Sequence, residues 1–432
     1  MRVAIYTLGC KVNQYETQAM EQELRRRGHE LVDFEDSADA YIVNTCSVTA
    51  VSDKKSRQMI RRAKRRSPNA VVAACGCYIQ THTDEAKGLG IDLIGGTGGR
   101  MAFLDLLEQE ARDRAPRVAV DDSLRRRDFE VLPAGGMAAR TRAMLKVEDG
   151  CVNFCTYCII PYARGPVRSL PLAEAVAQAR QLQAEGYREL VFTGIEISSW
   201  GRDLHDGSSL IDLVEAVAAA APRLRLRLGS LEPRTVTEDF CRRASQLPNL
   251  CPHFHLSLQS GCDATLRRMN RHYDTTQYRA VAEAVRKAFP GAALTTDMMV
   301  GFAGETEVDH QESLQFAREI GFAKIHAFAY SQRPGTRAAA MPDQVAPADK
   351  KRRCAELIAV AAELRKTALT AMLGQTQLVL FESRGQQGCT GYTPNYTPVT
   401  VCDPAAHPGD IRPVLLTAIA PDADGCEGIL TD

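Results

Sequence analysis

Three thiols fall within eight residues at Cys151-Val-Asn-Phe-Cys155-Thr-Tyr-Cys158. Thiolates are the usual ligands of iron–sulfur clusters, and a four-iron cluster normally takes four of them. Three local cysteines hold three irons and leave the fourth open to a small substrate. Such a loop reads as a catalytic cluster rather than an electron relay. Zinc usually takes paired Cys-x-x-Cys units or Cys/His sets with four ligands, and no second pair or His lies close by. Buried free thiols are the other alternative.

Three more cysteines gain meaning only through the elements that carry them. Strands are expected at Val3–Leu8, Glu30–Phe34, Ala40–Asn44, Ala70–Ala74 and Ile91–Ile94, with helices at Asn13–Arg27 and Val51–Arg66. That alternation implies an α/β unit with a parallel sheet and helices on both faces. Five strands suggest the flavodoxin-like order 2-1-3-4-5. Cys10, Cys46 and Cys77 then lie just past the carboxyl ends of strands 1, 3 and 4, where open α/β sheets bind ligands. Together they suit a second cluster; small buried residues at strand ends are the alternative. Cys75 competes with Cys77 but points to the other side of an extended chain, and it is read as packing.

The cysteine loop follows another strand pattern, Ala143–Val147. Five more strands are expected at Glu189–Phe192, Leu224–Leu228, His253–Leu258, Leu294–Val300 and Lys324–Tyr330, with helical patterns between them. Six βα units fit a partial parallel barrel whose carboxyl-end face carries the chemistry. That face collects Gly194 and Glu196 after the second strand, Glu232 after the third, Gln259 after the fourth and Gly301 after the fifth, with Tyr157 and Arg164 in or near the loop. The carboxylates and Gln259 suit ribose hydroxyls, amino groups or base edges. The glycines let a ligand approach the backbone, and Arg164 suits a carboxylate or phosphate. Ordinary caps, turns and surface pairs are the alternative for each.

Ala346–Leu373 reads as a long helix. Short strands follow at Gln377–Phe381, Tyr396–Val401 and Val414–Ile419, suggesting a small β-barrel. Tyr392 and Tyr396 offer stacking surfaces of the kind that bind RNA; a barrel that only covers the catalytic face is the alternative. The expected units are 1–115, a linker 116–140, the barrel 141–370 and the small barrel 371–432.

Formal net charge is zero over 432 residues, so any nucleic-acid site must be local. Lys54, Lys55, Arg57, Arg61, Arg62, Lys64, Arg65 and Arg66 crowd one helix and favour a phosphate-binding patch over a merely solvated face. Fourteen cysteines with no secretion signal or membrane-length apolar run point to a reducing, cytoplasmic compartment without a membrane role.

Several motifs resemble the methylthiotransferase family of the radical S-adenosylmethionine (radical SAM) superfamily. They are Thr7-Leu-Gly-Cys10-Lys-Val-Asn-Gln-Tyr-Glu-Thr, Val43-Asn-Thr-Cys46, Gly76-Cys77-Tyr, the cysteine loop, His255-Leu-Ser-Leu-Gln-Ser-Gly261, Arg267-Arg-Met-Asn270 and Tyr330-Ser-Gln-Arg-Pro-Gly-Thr336. The details are most similar to the branch acting on N6-threonylcarbamoyladenosine beside the tRNA anticodon. The resemblance implies a flavodoxin-like domain, a radical SAM barrel and a TRAM-like β-barrel. It implies two [4Fe-4S] clusters, on Cys10, Cys46 and Cys77 and on Cys151, Cys155 and Cys158. One S-adenosylmethionine would methylate a sulfur held at the first. A second would be cleaved at the other, giving a radical that takes hydrogen from C2 of the adenine. A reductant such as flavodoxin or ferredoxin, a sulfur donor and tRNA are the implied partners. The rival readings are a methylthiotransferase of a ribosomal-protein aspartate and a non-catalytic iron–sulfur protein.

Overall fold

The computed structural model describes residues 1–136 and 141–431. In the N-terminal unit, β1 (Arg2–Thr7), β2 (Glu30–Val32), β3 (Ala40–Thr45), β4 (Val71–Gly76), β5 (Leu93–Gly95) and β6 (Arg117–Ala119) form a parallel sheet. Their order is β2-β1-β3-β4-β5-β6. β3 and β4 are buried along their whole length, which is why both read as unbroken apolar runs. The helix α1 (Lys11–Arg26) buries Val12, Tyr15, Ala19 and Met20 at three-to-four spacing. The expected order holds for five strands, and β6 extends it. β6 lies in the segment read as linker; three mostly exposed residues carry no periodic signal. Residues 137–140 of that segment lie outside the described residues.

The second unit contains β7 (Arg142–Lys146), a short antiparallel pair β8 (Glu148–Asp149) and β9 (Arg168–Ser169), then β10 (Glu189–Thr193), β11 (Arg225–Arg227), β12 (Ser230–Leu231), β13 (His253–Leu256), β14 (Ala293–Val300) and β15 (Lys324–Ala329). Parallel pairing runs β7-β10-β11 and β12-β13-β14-β15. β11 falls within the third strand expected at Leu224–Leu228, and after a break at Leu228-Gly229 β12 continues the same position past its expected end. Six parallel positions with helices outside make a partial barrel. Among the described residues no pairing joins β7 to β15, so one side is open. There α1 packs, sharing a core through Tyr15 and Ala19 with Leu145 and Phe192 of the barrel.

After the helix Pro347–Thr370, a closed five-stranded barrel forms from β16 (Thr376–Gly385), β17 (Gly388–Tyr392), β18 (Pro398–Val401), β19 (Ile411–Ile419) and β20 (Cys426–Leu430), in the order β16-β17-β18-β20-β19. Val379, Phe381, Val399, Val401, Val414 and Leu416 alternate inward to fill it. Two of its strands, β17 and β20, escape the sequence reading because glycines interrupt their pattern.

This barrel docks on the amino ends of the larger barrel's strands. Arg142 pairs with Glu382, Arg225 Nη2 donates to Leu378 O at 2.7 Å, and Lys324 Nζ lies 2.7 Å from Asp424 Oδ1. It therefore stands opposite the cysteine loop and does not cover the carboxyl-end face. Tyr392 and Tyr396, expected as RNA platforms, stack on each other at 4.9 Å. Arg142 lies over Tyr392 at 4.7 Å and Arg227 over Tyr396 at 4.5 Å. Their rings serve this joint.

Candidate functional site

The cysteine loop leaves β8 at the carboxyl end of β7 and is pinned by backbone groups. Cys151 N donates to Gly165 O at 3.0 Å, and Cys158 N to Cys155 O at 2.9 Å. Asn270 Nδ2 donates to the carbonyls of Asn153 and Phe154, both at 3.2 Å. Thr156 N donates to Met269 O at 3.0 Å. The Arg267–Asn270 motif thus holds the loop from across the barrel mouth.

Cys151, Cys155 and Cys158 line one cavity of about 160 Å³ with Tyr157, Glu196, Glu232, Gln259 and Arg271. Burial pushes the Cys158 thiol up to about 12 and moves Cys151 in the same direction. While free, Cys151 and Cys158 stay protonated, and binding metal is what would make them thiolates. Three sulfur donors facing one cavity fit a four-iron cluster with an open iron.

Glu196 takes part in its own turn, accepting from Ser198 N at 3.1 Å and from the Ser199 hydroxyl. Glu232 accepts from Arg234 Nε at 2.9 Å and Arg271 Nη2 at 2.9 Å. Gln259 sits in left-handed backbone at φ 70°, braced by Gln259 N to Asp297 O at 2.9 Å. Such strain in a residue facing a cavity is a mark of function. Arg271 escaped the sequence reading, although it follows the Arg267–Asn270 motif directly. Its Nη1 lies 3.3 Å from Cys155 Sγ.

Two predicted glycines and Arg164 do not line this cavity. Gly194 packs on the Glu148 carboxylate, and Gly301 N donates to Glu305 Oε1 at 2.8 Å beneath the Lys350 side chain. Arg164 is fully buried where the N-terminal unit meets the barrel. It pairs with Glu16 of α1, and its Nη2 donates to Asn13 Oδ1 at 2.9 Å. Glu16 also meets Arg100 Nη2 at 2.7 Å and Lys146 Nζ at 3.0 Å, and Lys146 reaches Asp149 at 2.7 Å. Burial alone would raise the Glu16 carboxyl, but Arg100, Arg164 and Lys146 hold it well below its usual range.

That network borders the other triad. Gly9, at φ 114°, brings Cys10 to Cys46: a Cβ on Gly9 would lie 3.2 Å from Cys46 Sγ. Gly76, at φ 99°, would place a Cβ 2.4 Å from Thr45 O, so only glycine makes the turn that presents Cys77. Cys10, Cys46 and Cys77 feel one another electrostatically. Burial pushes Cys77 up to about 11 against the pull of Arg164. Cys75 lies on the opposite sheet face in the core.

Arg333, from the Tyr330–Thr336 motif, spans the two triads. Its Nη2 donates to Asp53 Oδ2 at 2.8 Å and Ser47 Oγ at 2.9 Å, beside Cys46. Its charge also opposes the burial that raises Cys158. Among the described residues, its buried Nε and Nη1 have no hydrogen-bond partner. A guanidinium with two unpartnered N–H groups, held by Asp53 between two sets of thiols, fits anionic, thiolate-ligated groups there.

A second cavity, about 420 Å³, runs from the barrel lumen to the joint with the small barrel, where Lys324, Tyr392, Tyr396 and Asp424 line it. It shares Ser230 with the cysteine cavity and is lined by Lys11, next to Cys10. His255, Asp297 and His326 meet there on adjacent strands, their nitrogen and oxygen ligand atoms within 4.8 Å of one another. A third cavity of about 330 Å³ shares Lys11, Arg227 and Tyr396 with the lumen.

No described helix is long and apolar enough to cross a membrane. Residues 145–317 match the radical SAM superfamily, and residues 2–95 match a family described as uncharacterized protein family UPF0004. The chain is 39% identical to the threonylcarbamoyladenosine tRNA methylthiotransferase MtaB of Bacillus subtilis, over 92% of this chain and 89% of the relative. It is 37% identical to its counterpart from Aquifex aeolicus, over 82% and 86%. A tRNA-2-methylthio-N6-dimethylallyladenosine synthase of Cereibacter sphaeroides is 33% identical over 98% and 97%. The solved structure of the radical S-adenosylmethionine methyltransferase TsrM from Kitasatospora setae shares the fold, with a TM-score of 0.59 at 15% identity over 78% of this chain and 75% of that one. The chain belongs to the radical SAM methylthiotransferase family, and it is an enzyme of that class.

Proposed function

We propose that the protein adds a methylthio group at C2 of N6-threonylcarbamoyladenosine beside the tRNA anticodon, using two S-adenosylmethionine molecules and two four-iron clusters. One observation carries this reading: there are two cysteine triads, one local and one assembled from three strand ends, and Arg333 links them, bonded to Ser47 and Asp53 beside Cys46 and acting on Cys158. Radical chemistry alone needs one triad; inserting sulfur gives the second a use. The substrate class rests on relatives of 35–39% identity named for threonylcarbamoyladenosine.

When loaded, the Cys151, Cys155 and Cys158 site supplies the electron that cleaves S-adenosylmethionine, and the Cys10, Cys46 and Cys77 site supplies or carries sulfur. Tyr157, Glu196, Glu232 and Gln259 bind the polar groups of S-adenosylmethionine, with Arg271 fixing Glu232. Arg164 acts as a positioning residue, locking the two units together beside Cys77. Gly194 and Gly301 shape turns that hold neighbouring carboxylates. On the basic helix, Ala50–Arg66, the exposed Lys54, Lys55, Arg61 and Arg65 provide phosphate contacts, while Arg62 and Arg66 are paired with Glu35. The enzyme works in the reducing cytoplasm with a reductant such as flavodoxin or ferredoxin and a sulfur donor.

The test is the tRNA nucleoside profile of a deletion strain. The 2-methylthio derivative of N6-threonylcarbamoyladenosine should vanish, with its precursor accumulating, and return with the wild-type gene. An unchanged profile, or loss of a methylthio mark from a ribosomal protein instead, contradicts the reading.

A further inference from the structure

We infer that Lys11 is the specificity-determining cation of the lumen, pairing with the carboxylate that the threonyl group places on the N6 substituent of the substrate. The inference rests on the substrate reading above and deepens it.

A nucleoside bearing a threonylcarbamoyl group differs from one bearing a dimethylallyl group in a full negative charge. A site that prefers the first needs an available cation where the substituent lies. The lumen has several basic side chains, and all but one are committed. Arg227 forks onto Glu189 at 2.7 and 2.9 Å. Lys324 holds Asp424 at 2.7 and 2.9 Å. Arg365 donates to the carbonyls of Ala323 and Asp424. Arg142, in the adjoining cavity, is paired with Glu382. Lys11 is exposed to the cavity and, among the described residues, makes no hydrogen bond or ion pair.

Its position gives the cation a purpose. Lys11 follows Cys10 directly in the chain, so its backbone is anchored at the sulfur-handling triad while its side chain lines the lumen. It lines the lumen together with Ser230, a residue shared with the radical cavity. It is also the first residue of the 16-residue helix α1, whose N-terminal amides add positive potential for a bound carboxylate. Asp297 is the lumen carboxylate that feels Lys11. Yet Asp297 already faces His255 Nε2 at 3.5 Å, so the ammonium remains available. The neighbouring imidazole of His326, on the other side of Asp297, offers a hydrogen bond to the urea carbonyl or hydroxyl of the same substituent.

The experiment uses the reconstituted holoenzyme and an anticodon stem-loop RNA carrying either N6-threonylcarbamoyladenosine or its carboxamide counterpart. kcat/KM is measured for wild type, Lys11→Gln and Lys11→Arg, with iron content as the control for loading. With the carboxylate RNA, Lys11→Gln should lose roughly 10- to 100-fold, the size of a charge-assisted hydrogen bond, mainly through KM. Lys11→Arg should recover most of it. Wild type should lose a similar factor on the carboxamide RNA, and Lys11→Gln should lose little more on that RNA. Equal losses for Lys11→Gln on both RNAs, or none on either, overturn the inference while leaving the substrate reading intact. If wild type leaves the carboxylate RNA unmodified but methylthiolates a dimethylallyladenosine RNA, the substrate reading fails first and the Lys11 inference falls with it.

Discussion

The two cysteine triads reach similar donor sets by opposite routes. Cys151, Cys155 and Cys158 come from one loop, and hydrogen bonds within the loop, from Asn270 and to the Met269 carbonyl fix their spacing. Cys10, Cys46 and Cys77 come from three strand ends, and their approach depends on sheet order and on two left-handed glycines. The loop triad needs one loop and the Met269–Asn270 turn that braces it. The strand-end triad needs the whole N-terminal sheet, and through Glu16 and Arg164 it needs the barrel as well.

The largest effects separate the triads by chemistry. Alanine at Cys151, Cys155 or Cys158 should remove both S-adenosylmethionine cleavage and methylthiolation. Alanine at Cys10, Cys46 or Cys77 should also bring methylthiolation to background, yet leave reductive cleavage to 5′-deoxyadenosine detectable. Chromatography of both products on anaerobic reactions reads the difference. If both groups lose cleavage equally, the triads form one functional unit and the comparison fails.

Next in size is the buried joint. Glu16→Gln strands Arg100, Arg164 and Lys146 in a dry interface, which should cost about 3–5 kcal/mol, measured as a lowered denaturant midpoint. Because the folded pKa of Glu16 lies below its usual 4.5, the stability from its ionisation is fully present above that value and is lost as pH falls below it. The gap between wild type and Glu16→Gln should therefore be widest at neutral pH and narrow below pH 4.5. A constant gap would show that packing, not charge, is what Glu16 contributes.

Tyr396→Ala should have a smaller effect, confined to the small barrel. It removes the ring beneath Arg142 and Arg227, worth about 1–2 kcal/mol, and should speed limited proteolysis between residues 371 and 376. The smallest effect is expected for Cys75→Ala, a core truncation away from the triad: iron content stays at the wild-type level. Loss of iron there would make Cys75 the ligand in place of Cys77.

Legibility followed the same divide. The loop triad could be read directly, because its spacing is local. The strand-end triad could be read because fully buried parallel strands leave unbroken apolar runs that mark where each strand stops. The charged joint was missed, although a signal existed: Glu16 sits on the apolar stripe of α1 between Tyr15 and Ala19, and a carboxylate on a buried face requires a buried partner. Arg333 and Arg271 lay in or next to recognised motifs, but only the fold shows that each reaches across to a thiol-bearing loop or strand end. A guanidinium after a cysteine loop suits an anionic ligand, but the anion Arg164 meets is Glu16, which sequence spacing alone does not show. The strands β6, β17 and β20 were too short or too glycine-rich for periodicity to register.

Iron and acid-labile sulfide per chain after anaerobic reconstitution test the central claim most directly, comparing wild type with the Cys151/Cys155/Cys158→Ala triple variant. Two independent four-iron sites predict about eight irons falling to about four. About four irons falling to none would contradict the account, leaving the strand-end triad without a cluster and sulfur insertion without a source.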